Sequence, residues 1–348
     1  MARNAVIDAD GHIYERESDI RKYLAEPWVR RRTPLWPSSN QPWDGDMFET
    51  LGYDEYRAGI SPAEQVERWL TRMEQENIEQ TMLFPSVAGN LTKLTEKDYT
   101  LAVCRATNDH FAKDFNALSD RLHVVGMLPF QQPERAAEEL RRAVEDLGMN
   151  AFAVLAIGLP KALGDSMYDP IYKAAEELGV PICVHANRHS QLEVGGYTLE
   201  NFSEVHTYTM FAGVALQFTS MMAQGVPIRF PKLRLAFLEI GASWLTYWLD
   251  RMDEHWELRG ELEMPLLREK PSEVFKMSPM FVSVEPDETL LPEVIRLVGD
   301  DHFLFASDYP HWDARFPENL NTVAGREDIP QESRDKILYH NSKQLFRL

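Results

Sequence analysis

The sequence predicts a (β/α)8 TIM barrel, and three observations carry that prediction. Eight short apolar runs of strand type alternate with stretches of helical length and pattern. The runs are apolar without alternation, as expected of parallel strands buried on both faces. Acidic and histidine clusters sit at the C-terminal ends of the first, fifth and eighth runs, and a closed barrel makes those ends neighbours. A doubly wound sheet is the competing arrangement. It is disfavoured because no Gly-x-Gly-x-x-Gly follows the first strand and no Walker sequence occurs.

The elements follow in order. Ala5-Val-Ile-Asp8 is an apolar run and the first strand. Residues 16–60, rich in Pro, Trp, Gly and Asp, read as a long inserted loop region after strand one, of the kind that walls a site. Ser61-Pro62-Ala-Glu64 opens a helix with a capping box and Pro at its first position, running to about Asn77. Strands are predicted at 81–85, 122–128, 151–155, 180–185, 233–240, 280–284 and 303–306. Helices are predicted at 96–118, 132–147, 170–178, 209–224, 243–258, 290–298 and 331–338. No repeat beyond this rhythm is visible, so residues 1–348 read as one barrel domain.

Composition bounds the function. The chain is 44% hydrophobic and 26% charged, which is globular rather than disordered. A net charge of -19 argues against a nucleic-acid backbone or an anionic membrane as partner. It does not exclude an anionic small-molecule substrate, because a bound metal makes a local positive field. Cys104 and Cys183 fall in apolar segments and read as buried free thiols. The N-terminus lacks the apolar region of a signal peptide and no apolar run reaches about 18 residues, so a cytoplasmic protein is expected.

The clusters carry the chemistry. Asp10 and His12 are two apart, so in an extended segment both side chains face one side, and Gly11 leaves room for close approach. A surface turn is the other reading of that motif alone. His185 ends the run Pro181-Ile-Cys-Val-His185, as a ligand or as a satisfied structural histidine. Asp308 ends another apolar run, where a carboxylate is costly to bury unless paired or metal-bound. Together Asp10, His12, His185 and Asp308 form a ligand set for one divalent ion. A mixed nitrogen and oxygen site suits zinc, the expected ion, and also manganese or iron. His311 and Trp312 follow Asp308 directly and are candidates for substrate binding. Arg188 offers a guanidinium fork for a substrate carboxylate; a solvated loop charge is its other reading. Trp36, Trp43, Phe211 and Trp312 suggest an apolar, planar substrate.

These motifs resemble the metal-dependent barrel hydrolases and decarboxylases of the amidohydrolase superfamily. The branch is that of aminocarboxymuconate-semialdehyde, resorcylate-type and carboxyvanillate-type decarboxylases. The resemblance runs nearly the whole chain. Its carriers are Ile7-Asp-Ala-Asp-Gly-His12, Val184-His185-Ala, Phe237-Leu-Glu-Ile-Gly241, Val284-Glu285-Pro286 and Phe305-Ala-Ser-Asp308-Tyr-Pro-His311. It implies that Asp10-x-His12 stands for the first-strand ligand pair, His185 for the fifth-strand histidine and Asp308 for the eighth-strand aspartate. No lysine ends the 151–155 strand, so the resemblance implies one metal rather than two. The branch ends its sixth strand in His-x-Gly; here Glu239 holds that position.

Glu239 is therefore a candidate general acid or base, a fifth ligand, or an anchor for a histidine; an ion pair with Arg251 is the bland reading. The functional expectation is a metal-dependent hydrolase acting on a small cyclic or aromatic carboxylate through metal-activated water, with Asp308 and Glu239 catalytic. Hydrolysis is preferred because the sixth-strand histidine is missing. The alternatives are a non-oxidative decarboxylase and a non-catalytic small-molecule-binding barrel. Surplus apolar residues in 16–60 and 187–213 suit a homodimer contact or a lid.

Overall fold

Eight parallel strands form the barrel wall in a computed structural model that describes residues 5–35, 60–186, 194–311 and 313–348. They are β1 (Val6–Ile13), β2 (Ile78–Pro85), β3 in two pieces (Leu122–Val124 and Gly126–Met127), β4 (Phe152–Leu155), β5 (Ile182–His185), β6 (Leu235–Leu238), β7 (Met280–Val284) and β8 (Phe303–Phe305). Each pairs in parallel with the next. Val125 is the pivot inside β3. Its N–H bonds back to Leu83 O at 2.9 Å, while the Gly126 N–H bonds forward to Ala151 O at 2.9 Å. The wall closes just past β8, where Asp308 N–H donates to Asp10 O (2.8 Å) and His12 N–H donates to Tyr309 O (2.7 Å).

Strand burial follows from this closure. Every residue of β4 to β8 is buried, which is why those runs read as continuously apolar. Outer helices cover the wall. The helix Pro62–Glu76 begins with the predicted capping box: Ser61 N–H donates to Glu64 Oε2 (2.7 Å) and Glu64 N–H to Ser61 Oγ (3.3 Å). Both cysteines are buried and free.

Several boundaries differ from the sequence reading. The helix predicted from 209 begins at Phe202, because Asn201 and Glu204 form a second capping box upstream of the apolar pattern. The helix after β6 runs to Glu263, beyond the predicted end at 258. Two short helices, Pro271–Met277 and Glu318–Ala324, were not predicted; at seven residues each they give the helical period little room to register. The terminal helix continues through a π turn at Lys336–His340 to Phe346. Within the described part of 16–60, only short helical turns occur, at Glu17–Ile20, Arg21–Tyr23 and Trp28–Arg30. Among the described residues, no helix is long and apolar enough to cross a membrane.

Candidate active site

The C-terminal ends of β1, β5, β6 and β8 bring the sequence-predicted acids and imidazoles together. Asp10 and His12 both belong to β1 and are 1% exposed. Gly11 between them is required by packing: a Cβ there would lie 2.4 Å from Cη2 of Trp69. That indole donates Nε1–H to His12 O at 3.0 Å, so it fixes the strand where the two side chains project.

Asp10 Oδ1 lies 3.5 Å from His12 Nε2 and 3.4 Å from His185 Nε2. Asp308 Oδ1 lies 3.2 Å from His12 Nε2. His185 Nδ1 donates to Ala186 O at 2.9 Å, which turns its Nε2 lone pair toward Asp10. Ser86 Oγ lies 3.5 Å from His12 Nδ1 and 3.1 Å from His311 Nε2, so one hydroxyl links the two stacked imidazoles, whose centroids are 3.8 Å apart.

The residues fit a metal ion. Both oxygens of Asp10, Nε2 of His12, Nε2 of His185 and Oδ1 of Asp308 are buried and make no hydrogen bond. Leaving such atoms without a partner is costly, and a cation shared among them removes the cost. Asp10, His12 and His185 each offer a ligand atom within 4.8 Å of the others; His12, Glu239, Asp308 and His311 do the same.

The charges are arranged to suit this. Burial first, then the charge of His311, holds His12 below its ordinary value, so its nitrogen is a neutral donor. At His185, burial opposes protonation, but the negative charges of Glu239 and Asp10 outweigh it and push the imidazole up to about 10. The field that would hold a proton there equally attracts a metal cation. Burial would raise Asp308, but His311 and His12 overcome it and hold the carboxylate well below its usual range.

Glu239 and Asp308 share a backbone peculiarity. Both adopt left-handed conformations, at φ 69° and 53°, which non-glycine residues rarely hold. Such strain of about 1–3 kcal/mol per residue persists where surrounding contacts over-determine it. For Glu239 those contacts are visible. Its N–H donates to Ser283 Oγ at 2.9 Å, and the loop beyond is tied to Glu288, which accepts from Ala242 N–H at 2.8 Å and Glu285 N–H at 2.7 Å.

The Glu239 carboxylate lies 3.3 Å from His185 Nδ1 and 3.7 Å from His311 Nδ1. Burial raises it, but His185 and then His311 outweigh that and hold it below the ordinary value. It is not paired with Arg251, which bonds to Glu254 on the exposed face of its helix. His311 Nδ1 is 2.6 Å from Asp308 Oδ1. A cavity of about 610 Å³ opens beside these groups, lined by Asp10, Glu239 and Asp308 and also by His206, Glu285 and Arg315.

Of the other candidates, Arg188, Trp312, Trp36 and Trp43 lie outside the described residues. Phe211 packs edge-on against Trp244 and Trp248, at 5.8 and 5.5 Å, as part of a helix-to-helix aromatic cluster. The sequence reading missed Ser86, Glu288, His206 and Arg315. Asp8, inside the first motif, has no role that the sequence alone reveals. None of the first four lies in a motif of its own; they meet the site only through folding.

The sequence pattern of the Amidohydrolase family matches residues 7–348. A gamma-resorcylate decarboxylase of Rhodococcus jostii is 26% identical over 311 residues, covering 85% of this chain and 91% of its own length. An amidohydrolase structure from Mycobacterium avium subsp. paratuberculosis superposes with TM-score 0.78 at 21% identity, covering 99% of this chain and 100% of that one. A dihydroxybenzoic acid decarboxylase from a Polaromonas species, solved with manganese and the inhibitor 2-nitroresorcinol, superposes with TM-score 0.72 at 18% identity over 99% and 98% of the two chains.

Proposed function

We propose that this chain, which belongs to the amidohydrolase family, is a metal-dependent carboxy-lyase that removes CO2 from a small aromatic acid. The reading revises the preference for hydrolysis drawn from the missing sixth-strand histidine. The observation that carries it is the cluster of Asp10, His12, His185 and Asp308 atoms without hydrogen bonds, beside a His311 held by Ser86, in a chain alignable over most of its length with a decarboxylase. His311 supplies an imidazole from the loop after the eighth strand where the branch draws one from the sixth.

Asp10, His12, His185 and Asp308 would hold the ion. When bound, a divalent cation supplies Lewis acidity toward the oxygens of the substrate. Manganese, found in the Polaromonas neighbour, is the first ion to test, with zinc beside it. The remaining chemistry belongs to the protein. His311, whose Nδ1 lies 2.6 Å from Asp308 Oδ1, carries one proton and delivers it to the ring carbon that bears the carboxylate. The bond from that carbon to the carboxylate then breaks, its electron pair returns to the ring, and CO2 leaves. Glu239, 3.7 Å from His311, stabilises the imidazole while it carries the proton, and holds His185 in its ligand tautomer.

The test uses manganese-loaded protein and 2,6-dihydroxybenzoate labelled with ¹³C in the carboxylate, in D2O. Labelled CO2 and a single deuteron at the vacated ring carbon are the expected products. Hydrolysis remains the second reading, favoured by the carboxylate at position 239. Turnover of lactones or amides with uptake of ¹⁸O from water, and no CO2 from any aromatic acid, would replace the first reading with it.

A further inference from the structure

Arg315 stands apart in the cavity beside the candidate metal ligands. Among the described residues lining that cavity it is the sole lysine or arginine, and its neighbours there include the carboxylates of Glu285, Asp287, Asp313 and Glu318. A guanidinium in such company ordinarily pairs with one of them. Arg315 does not: among the described residues its side chain makes no ion pair and no hydrogen bond. Its backbone alone is engaged, with its carbonyl accepting from Asn319 N–H at 3.1 Å. That backbone is held at φ 44°, a left-handed conformation that an arginine does not adopt without being made to. The side chain is exposed to the cavity and solvent. So a strained residue keeps a five-donor cation unspent among acids that would otherwise take it up.

The electrostatics of the cavity say what this cation is for. Asp287 and Glu318 repel an anionic group from the rest of the wall, and no other described lysine or arginine lines it. Among the described residues lining the cavity, a substrate with one carboxylate directed to the candidate metal ligands then finds a cation for a second anionic group at Arg315, whose planar fork matches a carboxylate. We infer that Arg315 is a specificity-determining residue that selects aromatic acids carrying two anionic groups. This rests on the carboxy-lyase reading for the orientation of the substrate, but not for the selection itself.

Binding, read without turnover, tests it. Isophthalate and benzoate are titrated by calorimetry into manganese-loaded wild-type protein and into Arg315→Gln and Arg315→Lys, each checked for manganese content and circular dichroism. Wild type is expected to bind isophthalate about ten- to hundredfold more tightly than benzoate. Arg315→Gln removes that preference by weakening isophthalate alone, and Arg315→Lys keeps part of it as a charge without the fork. A wild-type protein with no such preference, or an Arg315→Gln variant that retains it, overturns the assignment. Should Arg315→Gln fail to fold, an Arg315→Lys variant with undiminished selectivity overturns the fork argument in the same way. A preference that depends on Arg315 in a protein that releases no CO2 supports the assignment and removes only the carboxy-lyase reading.

Discussion

Asp8 and Ser307, 299 positions apart, are joined at two points: Asp8 Oδ1 accepts from Ser307 N–H at 2.9 Å and Oδ2 from its hydroxyl at 2.6 Å. The same carboxylate accepts from Thr81 Oγ1–H at 3.1 Å, so one fully buried side chain ties β1 to β2 and to the exit of β8. Ser307 directly precedes Asp308, and the clamp therefore sets where that carboxylate stands. Asp8→Ala is predicted to strand the buried donors of Thr81 and Ser307 and destabilise the fold by about 1–3 kcal/mol for each donor left unsatisfied. It should also lose metal during dialysis that wild type withstands. Urea midpoints and elemental analysis check both. A variant with an unchanged midpoint and full metal content would show that the clamp is dispensable.

Chelation is predicted to destabilise the protein through the same cluster. The unpartnered atoms of Asp10, His12, His185 and Asp308 make folding and metal binding one linked equilibrium. At free metal a hundredfold above Kd the linkage is worth about 2.7 kcal/mol. Addition of a chelator should lower the melting temperature of wild type, and restoring manganese should raise it again. Asp10→Ala and His185→Ala should melt at one temperature whether metal is present or not. A wild-type melting temperature indifferent to chelator and to added manganese, zinc and iron would count against a metal site.

The convergence of the candidate ligands was legible in the sequence because its signal is chemical as well as local. Asp10, His12, His185 and Asp308 are polar residues ending apolar runs, and the runs themselves announce strands. The barrel was legible for the same reason: buried strands and capped helices are written in a few adjacent residues, as at Ser61 and Glu64. What escaped depends on partners remote in sequence or on backbone geometry. Glu288 matters through Ala242, 46 positions away, and Ser86 through His311, 225 positions away. The left-handed backbones of Glu239, Asp308 and Arg315 carry no glycine to betray them. Hydrolysis was preferred because one motif position lacked its histidine; the fold places another imidazole, His311, 3.7 Å from the residue found there.

His311 is predicted to be needed for turnover and dispensable for metal binding. Its Nδ1 faces Asp308 at 2.6 Å and its Nε2 faces Ser86 at 3.1 Å. His311→Asn should lower kcat by about 10²–10⁴-fold, the range of a lost general acid, at manganese content equal to wild type. Glu239→Gln preserves shape but removes the charge beside His185 and His311, and should cost about 10–100-fold, as for groups that orient a metal ligand. If His311→Asn turned over normally, the proton would have to come from another group. If it lost its metal instead, His311 would be a ligand.

Glu15 makes stability depend on pH, and its surroundings set the sign. The side chain is 2% exposed; Oε1 accepts from the N–H groups of Val87 (2.8 Å) and Ala88, while Oε2 is buried without a partner. Burial pushes the acid from 4.5 up to about 7, despite those backbone donors. Between these two values the folded protein holds a proton that the unfolded chain has released. Stability from this group is therefore full below about pH 4.5, declines as pH rises and is gone above about 7. Glutamine keeps the acceptor and needs no proton. Glu15→Gln is thus expected to be more stable than wild type at pH 8, by about 1–3 kcal/mol, and nearly equal to it at about pH 4.5. Urea midpoints at the two pH values decide it. A glutamine variant less stable than wild type at pH 8 would mean that Glu15 is held as an anion, and that the turn carrying Ser86 is anchored by charge rather than by a buried acid.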